Sequence, residues 1–325
     1  MRFAVFVCAA GLCLAGQRPA PPQPPAEEPP VIRVDVELVN VFFSVRDKSG
    51  RFLSSLTKED FTVLEDGKAQ EIRYFTHETD LPLTIGLLVD VSKSQEALIE
   101  VEREAAYQFF SRVLRQKDMA FLISFGVESE LLQDFTNSPA LLRKALGELR
   151  LNAGVSVAGP IVNPGPIPTQ PRGTVLYEAV FLAADEKLRG EVGRKAIIVI
   201  TDGNDYGSRI KIEKAIEAAQ RSDAIIYSIL YEDPRYTSPM YGGFSGTGQL
   251  RRMAEETGGR MFRVDRGHPL QEAFDQIQQE MRSQYALAYA SSNRARDGGF
   301  RKLEIKPKLK DARVQARRGY YASAK

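Results

Sequence analysis

The stretch "LPLTIGLLVDVSKSQ", residues 81–95, decides how the rest of the chain is read. Its apolar run is almost continuous, as expected of a strand covered on both faces. The run ends in an acid, Asp90, and two hydroxyls follow at alternate positions, Ser92 and Ser94. A carboxylate and two short alcohols at the end of a buried strand raise the question of what else converges there.

Downstream, strands and helices alternate. "EALIEVEREAAYQFFSRVL" carries apolar residues at helical spacing, among them Leu98, Val101, Ala105, Phe109 and Val113. The strand "MAFLISF", the short strand "SELLQDF" and a helix opening at Ser138-Pro139 come next. A helix near 175–188 precedes the buried strand "KAIIVIT", and the helix "IEKAIEAAQRS" precedes the strand "AIIYSIL". "TGQLRRMAEETGG" is a helix closed by glycines, followed by the strand "RMFRV" and a helix with Leu270, Phe274, Ile277 and Met281 on one face. This alternation predicts a doubly wound α/β domain with a mostly parallel sheet over residues 81–283.

On either side the period changes to two. "VIRVDVELVNVFFSVRD" alternates apolar and polar, and "DFTVLEDGKAQEIRYF" predicts two strands joined at Asp66-Gly67. After residue 284, "YALAYASS", "RKLEIKPKL" and "ARVQARRGYYA" predict three more strands. Each half is too small to be stable alone. The economical arrangement is one small β-sandwich built from residues 31–80 and 284–325, with the α/β domain inserted between them.

The first sixteen residues combine Arg2, an apolar stretch from Phe3 to Leu14, and small residues at Cys13 and Ala15 that suit a signal peptidase. This stretch is too short to span a membrane and has the form of a secretory leader. Residues 17–30 are Pro-rich and predict an extended spacer. The implied location is exported, periplasmic or extracellular. Both cysteines, Cys8 and Cys13, lie in the leader, so a mature chain would carry no disulfide, no catalytic thiol and no thiolate metal site. No later stretch reaches transmembrane length. The formal charge of +2, without a basic block interleaved with aromatics, gives no nucleic-acid footprint.

In an open α/β sheet, ligands bind beyond the carboxyl ends of the strands. Asp90 ends one buried strand, Asp202 ends another in "IIVITDGND", and Thr174 in "PRGTVLYEAV" stands just before a helix. Five oxygen side chains, Asp90, Ser92, Ser94, Thr174 and Asp202, can therefore gather at one rim. Such a set suits a hard divalent cation, Mg²⁺ with Mn²⁺ as the alternative. Two carboxylates balance the ion and three hydroxyls add no charge, which leaves room for an Asp or Glu from a protein partner. The competing structural reading is that Asp90 and Ser92 cap the next helix and "TDG" is an ordinary turn.

"DVSKS", "GTVLYEA" and "VITDGND" resemble the metal-ion-dependent adhesion site of von Willebrand factor type A (VWA) domains. The resemblance implies Ser92, Ser94 and Thr174 as ligands, with Asp90 and Asp202 binding directly or through water. The flanks "DKSGRFLSSLTKEDFTVLEDGKAQEIRYF" and "GFRKLEIKPKLKDARVQARRGYYA" are similar to those of exported VWFA-related proteins described in Acidobacteria. The expectation is a metal-dependent adhesion or binding module. Two long Gly/Pro-rich loops, 152–173 and 232–248, depart from the family pattern, and Tyr236, Tyr241 and Phe244 in the second are candidate partner anchors.

Two other classes compete with a binding module. A phosphoryl-transfer enzyme with Asp90 as nucleophile normally has a second acid two residues on, where this chain has Ser92. Serine hydrolysis needs a base, and His77 and His268 are the only histidines; "GGFSGTG" lacks the Lys of a phosphate loop. A structural envelope protein with an idle metal site is the remaining alternative. Asp205 is expected to be a solvated loop acid.

Overall fold

The computed structural model describes residues 38–77, 81–152, 173–232 and 246–324. The leader and spacer, most of both long loops, and Tyr236, Tyr241 and Phe244 lie outside the described residues.

Four strands open this part of the chain: β1 (Leu38–Arg46), β2 (Phe61–Glu65), β3 (Lys68–Gln70) and β4 (Ile72–His77). The period-two pattern works as expected in β1, where Val39, Val41, Phe43 and Val45 are all buried. At the β2–β3 turn, Asp66 and Gly67 both take positive φ, 48° and 81°, the backbone that a two-residue hairpin of matching twist requires.

The α/β part follows as β5 (Leu83–Asp90), α1 (Ile99–Val113), β6 (Met119–Phe125), β7 (Ser129–Thr136), α2 (Pro139–Gly147), α3 (Leu176–Phe181), β8 (Arg194–Thr201), α4 (Ile212–Arg221), β9 (Ala224–Tyr231), α5 (Thr247–Thr257), β10 (Met261–Val264) and α6 (Leu270–Arg282). The helix begun by α3 continues in wider π-type turns through Leu182–Leu188. Strand order is β10-β9-β8-β5-β6-β7, parallel except for the antiparallel edge strand β7. All eight residues of β5 and all eight of β8 are buried, which is why both stretches had to be continuous rather than alternating.

One face of the sheet packs Ile85, Leu87 and Val89 against Phe109 and Phe110 of α1 and Phe274 and Ile277 of α6. The other packs Leu88, Phe121 and Val199 with Leu176, Ile216 and Leu250 from α3, α4 and α5. Each such side chain contributes roughly 1.5–3 kcal/mol on burial. Gly86 admits the Phe121 ring: a Cβ there would lie 2.3 Å from Phe121 Cζ.

The chain returns with β11 (Tyr285–Ala290), β12 (Phe300–Pro307), β13 (Arg313–Ala316) and β14 (Gly319–Tyr321). Head and tail strands interleave in two four-stranded sheets, β13-β1-β11-β4 and β14-β12-β2-β3. Phe43, Phe61, Val63, Tyr285, Leu287, Leu303 and Ile305 form their common core.

Two strand readings are corrected. "KAQEIRYF" is not one strand: it changes sheets at Glu71, so that β3 pairs with β2 and β4 with β11. "ARVQARRGYYA" likewise divides at Arg317 and Arg318. There the buried Arg317 guanidinium bonds Asp223 and, at 2.6 Å, the Asn40 carbonyl, while Arg318 N donates to Glu256 O at 3.2 Å. These bonds, to Asp223 and Glu256 of the α/β part and to Asn40 of β1, hold the backbone at a sheet corner, whereas the period-two pattern runs on through it.

The sandwich and the α/β part meet around one buried acid. Glu280 of α6, 1% exposed, takes Arg46 at 2.7 Å, Arg260 at 3.0 Å and the Tyr227 hydroxyl at 3.4 Å. Among the described residues no helix is long and apolar enough to cross a membrane.

Candidate metal centre

β5 lies between β6, reached next along the chain, and β8, reached later on its other side, so the sheet's switch point falls at the carboxyl end of β5. The parallel register pairs Val89 with Ile200, which brings Asp90 level with Thr201 and next to Asp202.

Asp90 is fully buried and held at both oxygens. Thr201 Oγ1 donates to Oδ2 at 2.5 Å, and Ser92 N donates to Oδ1 at 2.9 Å. Ser94 Oγ donates to Asp202 Oδ2 at 2.8 Å and lies 3.0 Å from Ser92 Oγ. The other Asp202 oxygen accepts from Asn204 N at 3.0 Å. Asp90 and Ser92 therefore do not cap α1, and the Ser92 side chain makes no capping bond in the short turn that follows it.

Thr174 reaches the same rim through its backbone. Its carbonyl accepts from Tyr206 N and Gly207 N, each at 3.1 Å, and Val175 N donates to Gly126 O at 2.9 Å. The loops after β6 and β8 are thus fastened to the segment leading into α3. Gly173 and Gly207 allow this approach: a Cβ on Gly173 would lie 2.4 Å from Tyr206 Cβ, and one on Gly207 2.4 Å from Gly173 O. Hydrogen bonds link the Ser92, Ser94 and Asp202 side chains, and Ser92's backbone N–H links them to Asp90. Thr174 as a residue is buried, and its hydroxyl makes no hydrogen bond to any of the four.

Two residues differ from or add to the sequence reading. Asp205 is not a solvated acid: its Oδ2 accepts from Tyr177 N at 2.9 Å and Ser208 Oγ at 2.5 Å, which satisfies a free N–H in the first turn of α3. Thr201 was not singled out, yet it fixes Asp90 and also accepts from Gly203 N at 3.0 Å. A hydroxyl as the last strand residue before "DG" is the signal that could have marked it.

Burial, and then the nearby Asp202, push the Asp90 carboxyl up to about 7, against the opposing hydrogen bonds from Thr201 and Ser92. Neither acid has a Lys or Arg partner among the described residues. Behind them on α1, Glu102 is also fully buried, its two oxygens have no hydrogen-bond partner, and burial followed by Asp90 raises it well above the carboxylate range. Acids crowded in an interior without a counter-charge, faced with hydroxyl oxygens, form a donor set that fits Mg²⁺ or Mn²⁺. No group of three or more His, Cys, Asp and Glu arranged for a metal occurs among the described residues, so the fit depends on the serine and threonine hydroxyls.

Neither histidine is near this rim as a base. His77 packs against the Tyr285 ring at 5.1 Å in the sandwich, and His268 is exposed and paired with Asp265 at 3.2 Å.

No family model and no curated protein matches the chain. Among solved structures it is similar to the conserved hypothetical protein BatB from Bacteroides thetaiotaomicron, at 18% identity and a TM-score of 0.45, over 61% of this chain and 97% of that one. It is also similar to the vWF domain of the type V pili tip protein Mfa5 from Porphyromonas gingivalis, at 15% identity and a TM-score of 0.45, over 62% and 95%. A third is proximal thread matrix protein 1 from the mussel byssus with a zinc-occupied MIDAS motif, at 12% identity and a TM-score of 0.46, over 66% and 48%. The α/β part is a doubly wound fold with a mostly parallel six-stranded sheet. At these identities and TM-scores the chemistry of the α/β part must be argued from its own residues.

Proposed function

We propose that the protein is an exported binding module that recognises a protein partner at a divalent-cation site. Asp90, Ser92, Ser94, Thr174 and Asp202 would hold the ion, Mg²⁺ or Mn²⁺, directly or through water. The observation that carries this reading is the hydrogen-bonded series Ser92–Ser94–Asp202 beside a buried Asp90 that has no cationic partner among the described residues. When bound, the cation supplies a Lewis-acidic position at which an anionic oxygen, such as a partner's Asp or Glu carboxylate, can complete the shell.

The chain's own residues do the rest. Thr201 and the Ser92 N–H fix the rotamer of Asp90, and the Asn204 N–H fixes that of Asp202. Hydroxyls rather than further acids keep the total charge at two, so an incoming carboxylate is attracted rather than repelled. A binding role is favoured over catalysis because, among the described residues, neither histidine stands near the rim and each hydroxyl of the Ser92–Ser94 pair bonds another hydroxyl or Asp202 rather than a histidine base. Export rests on the leader-like first sixteen residues.

Calorimetric titration of the mature chain with MgCl₂ and with MnCl₂ tests the reading. One ion per chain is expected for the wild type, with affinity lost in Asp202→Ala although that variant still folds. Equal binding by the variant, or none by the wild type, sinks the proposal.

A further inference from the structure

Tyr206 is the one large aromatic among the described residues that the rim presents to solvent. It sits in the loop between Asp202 and α4, with 68% of its surface exposed. Its backbone is nevertheless anchored. Its N–H and that of Gly207 both bond Thr174 O, and Gly173 lies in contact beneath its Cβ. On the same loop, Asp205 and Ser208 bond the first N–H groups of α3, and Arg209 N donates to Glu178 Oε1 at 2.7 Å. A freely moving loop would have to order its tyrosine on binding; here that cost has been met by folding.

The charges around it are mixed. Lys93, exposed between the two candidate serine ligands, and Arg209, exposed three residues beyond Tyr206, pair with no acid side chain among the described residues. Glu96 is the exposed acid on the Lys93 turn, and Asp205 and Glu178 stand on the Arg209 side, where backbone N–H groups hold both. The rim as a whole is therefore not cationic, and Lys93 acts as a single local cation beside the candidate serine ligands.

We propose that Tyr206 and Lys93 form a specificity rim on either side of the cation site, shaped for an acidic protein segment with an apolar or aromatic side chain next to its Asp or Glu. The carboxylate meets the ion, the neighbouring side chain packs on the exposed Tyr206 ring, and Lys93 favours a second acid in the segment. Large, rigid aromatics with few rotamers to lose are the usual anchors of such contacts. This inference rests on the cation-site reading, and the experiment below separates the two.

The probe is an array of nonapeptides with a fixed central Asp and varied neighbours, exposed to the full mature chain in Mg²⁺ and in EDTA. Wild type is expected to select peptides with an aromatic or branched apolar residue within two positions of the Asp, and to release them in EDTA. Tyr206→Ala should bind those peptides roughly tenfold more weakly or worse, and Tyr206→Phe within about threefold of wild type. Both should bind Mg²⁺ in calorimetry as wild type does, and Lys93→Ala should lose the preference for a second acid. If Tyr206→Ala selects the same peptides with unchanged strength, or if the Mg²⁺-loaded wild type selects none, the specificity rim is wrong while the cation site stands. A chain that takes up no Mg²⁺, or binding that survives EDTA, overturns the cation-site reading itself.

Discussion

Asp90 is a residue whose environment works against its own charge. An ordinary aspartate has a value of 3.8, and burial with Asp202 alongside brings Asp90 to about 7. Folding therefore favours the protonated acid: this contribution to stability is fully present below the lower value and is lost as pH rises through the upper one. In EDTA, the melting temperature is expected to fall between about pH 4 and pH 7, and Mg²⁺ to restore it at the alkaline end, because the ion binds the ionised form. Asp90→Asn should make the metal-free profile less steep, the remaining slope coming from the other raised buried acids, Glu102 and Glu280. Thermal melts at several pH values with and without Mg²⁺ measure this, and a metal-free wild type that gains stability with rising pH would contradict it.

At the scale of elements, the centre of the six-stranded sheet depends on a missing side chain. Gly86 on β5 faces the Phe121 ring of β6, and a methyl group in that space would stand 2.3 Å from it. The ring is fully buried and packs edge-on to Phe135 at 5.3 Å, so it has little room to move. Gly86→Ala is expected to destabilise the fold by about 1–3 kcal/mol through overpacking, against the usual gain from replacing a strand glycine. Urea denaturation reads this directly, and a stabilised variant would show that the ring yields. The residue sits four positions before Asp90, so the same variant should also lower cation affinity if β5 shifts along its axis.

For the molecule as a whole, the question is how the sandwich and the α/β part hold together. Glu280 is the shared partner of Arg46 from β1, Arg260 ahead of β10, and Tyr227 from β9. Burial raises its carboxyl, with Arg260 and Arg46 pulling the other way, and Arg46 is itself lowered first by burial. Removing the acid leaves two arginines facing each other, and Glu280→Ala is expected to cost about 3–5 kcal/mol. Calorimetry of the variant is expected to show two unfolding transitions where the wild type shows one. A loss below about 1 kcal/mol would place the coupling in the apolar contacts instead.

The sequence by itself determined the element types, the α/β class and the four acid and hydroxyl positions at the strand ends. These follow from local chemistry: runs of apolar residues, periods of two and 3.6, and polar groups placed where a strand stops. Hydrogen bonding and side-chain packing in three dimensions decided the rest. That Asp205 holds α3 rather than facing water follows from a loop closing on a helix twenty-eight residues earlier. That "KAQEIRYF" and "ARVQARRGYYA" each divide between two sheets follows from partners supplied by distant parts of the chain. Thr201 as the residue that orients Asp90, and Glu102 as a buried acid behind it, could not be read from spacing. A strand-end threonine and a glutamate in the first turn of a helix are ordinary until the register of β5 against β8 and the packing of α1 bring them to the same interior.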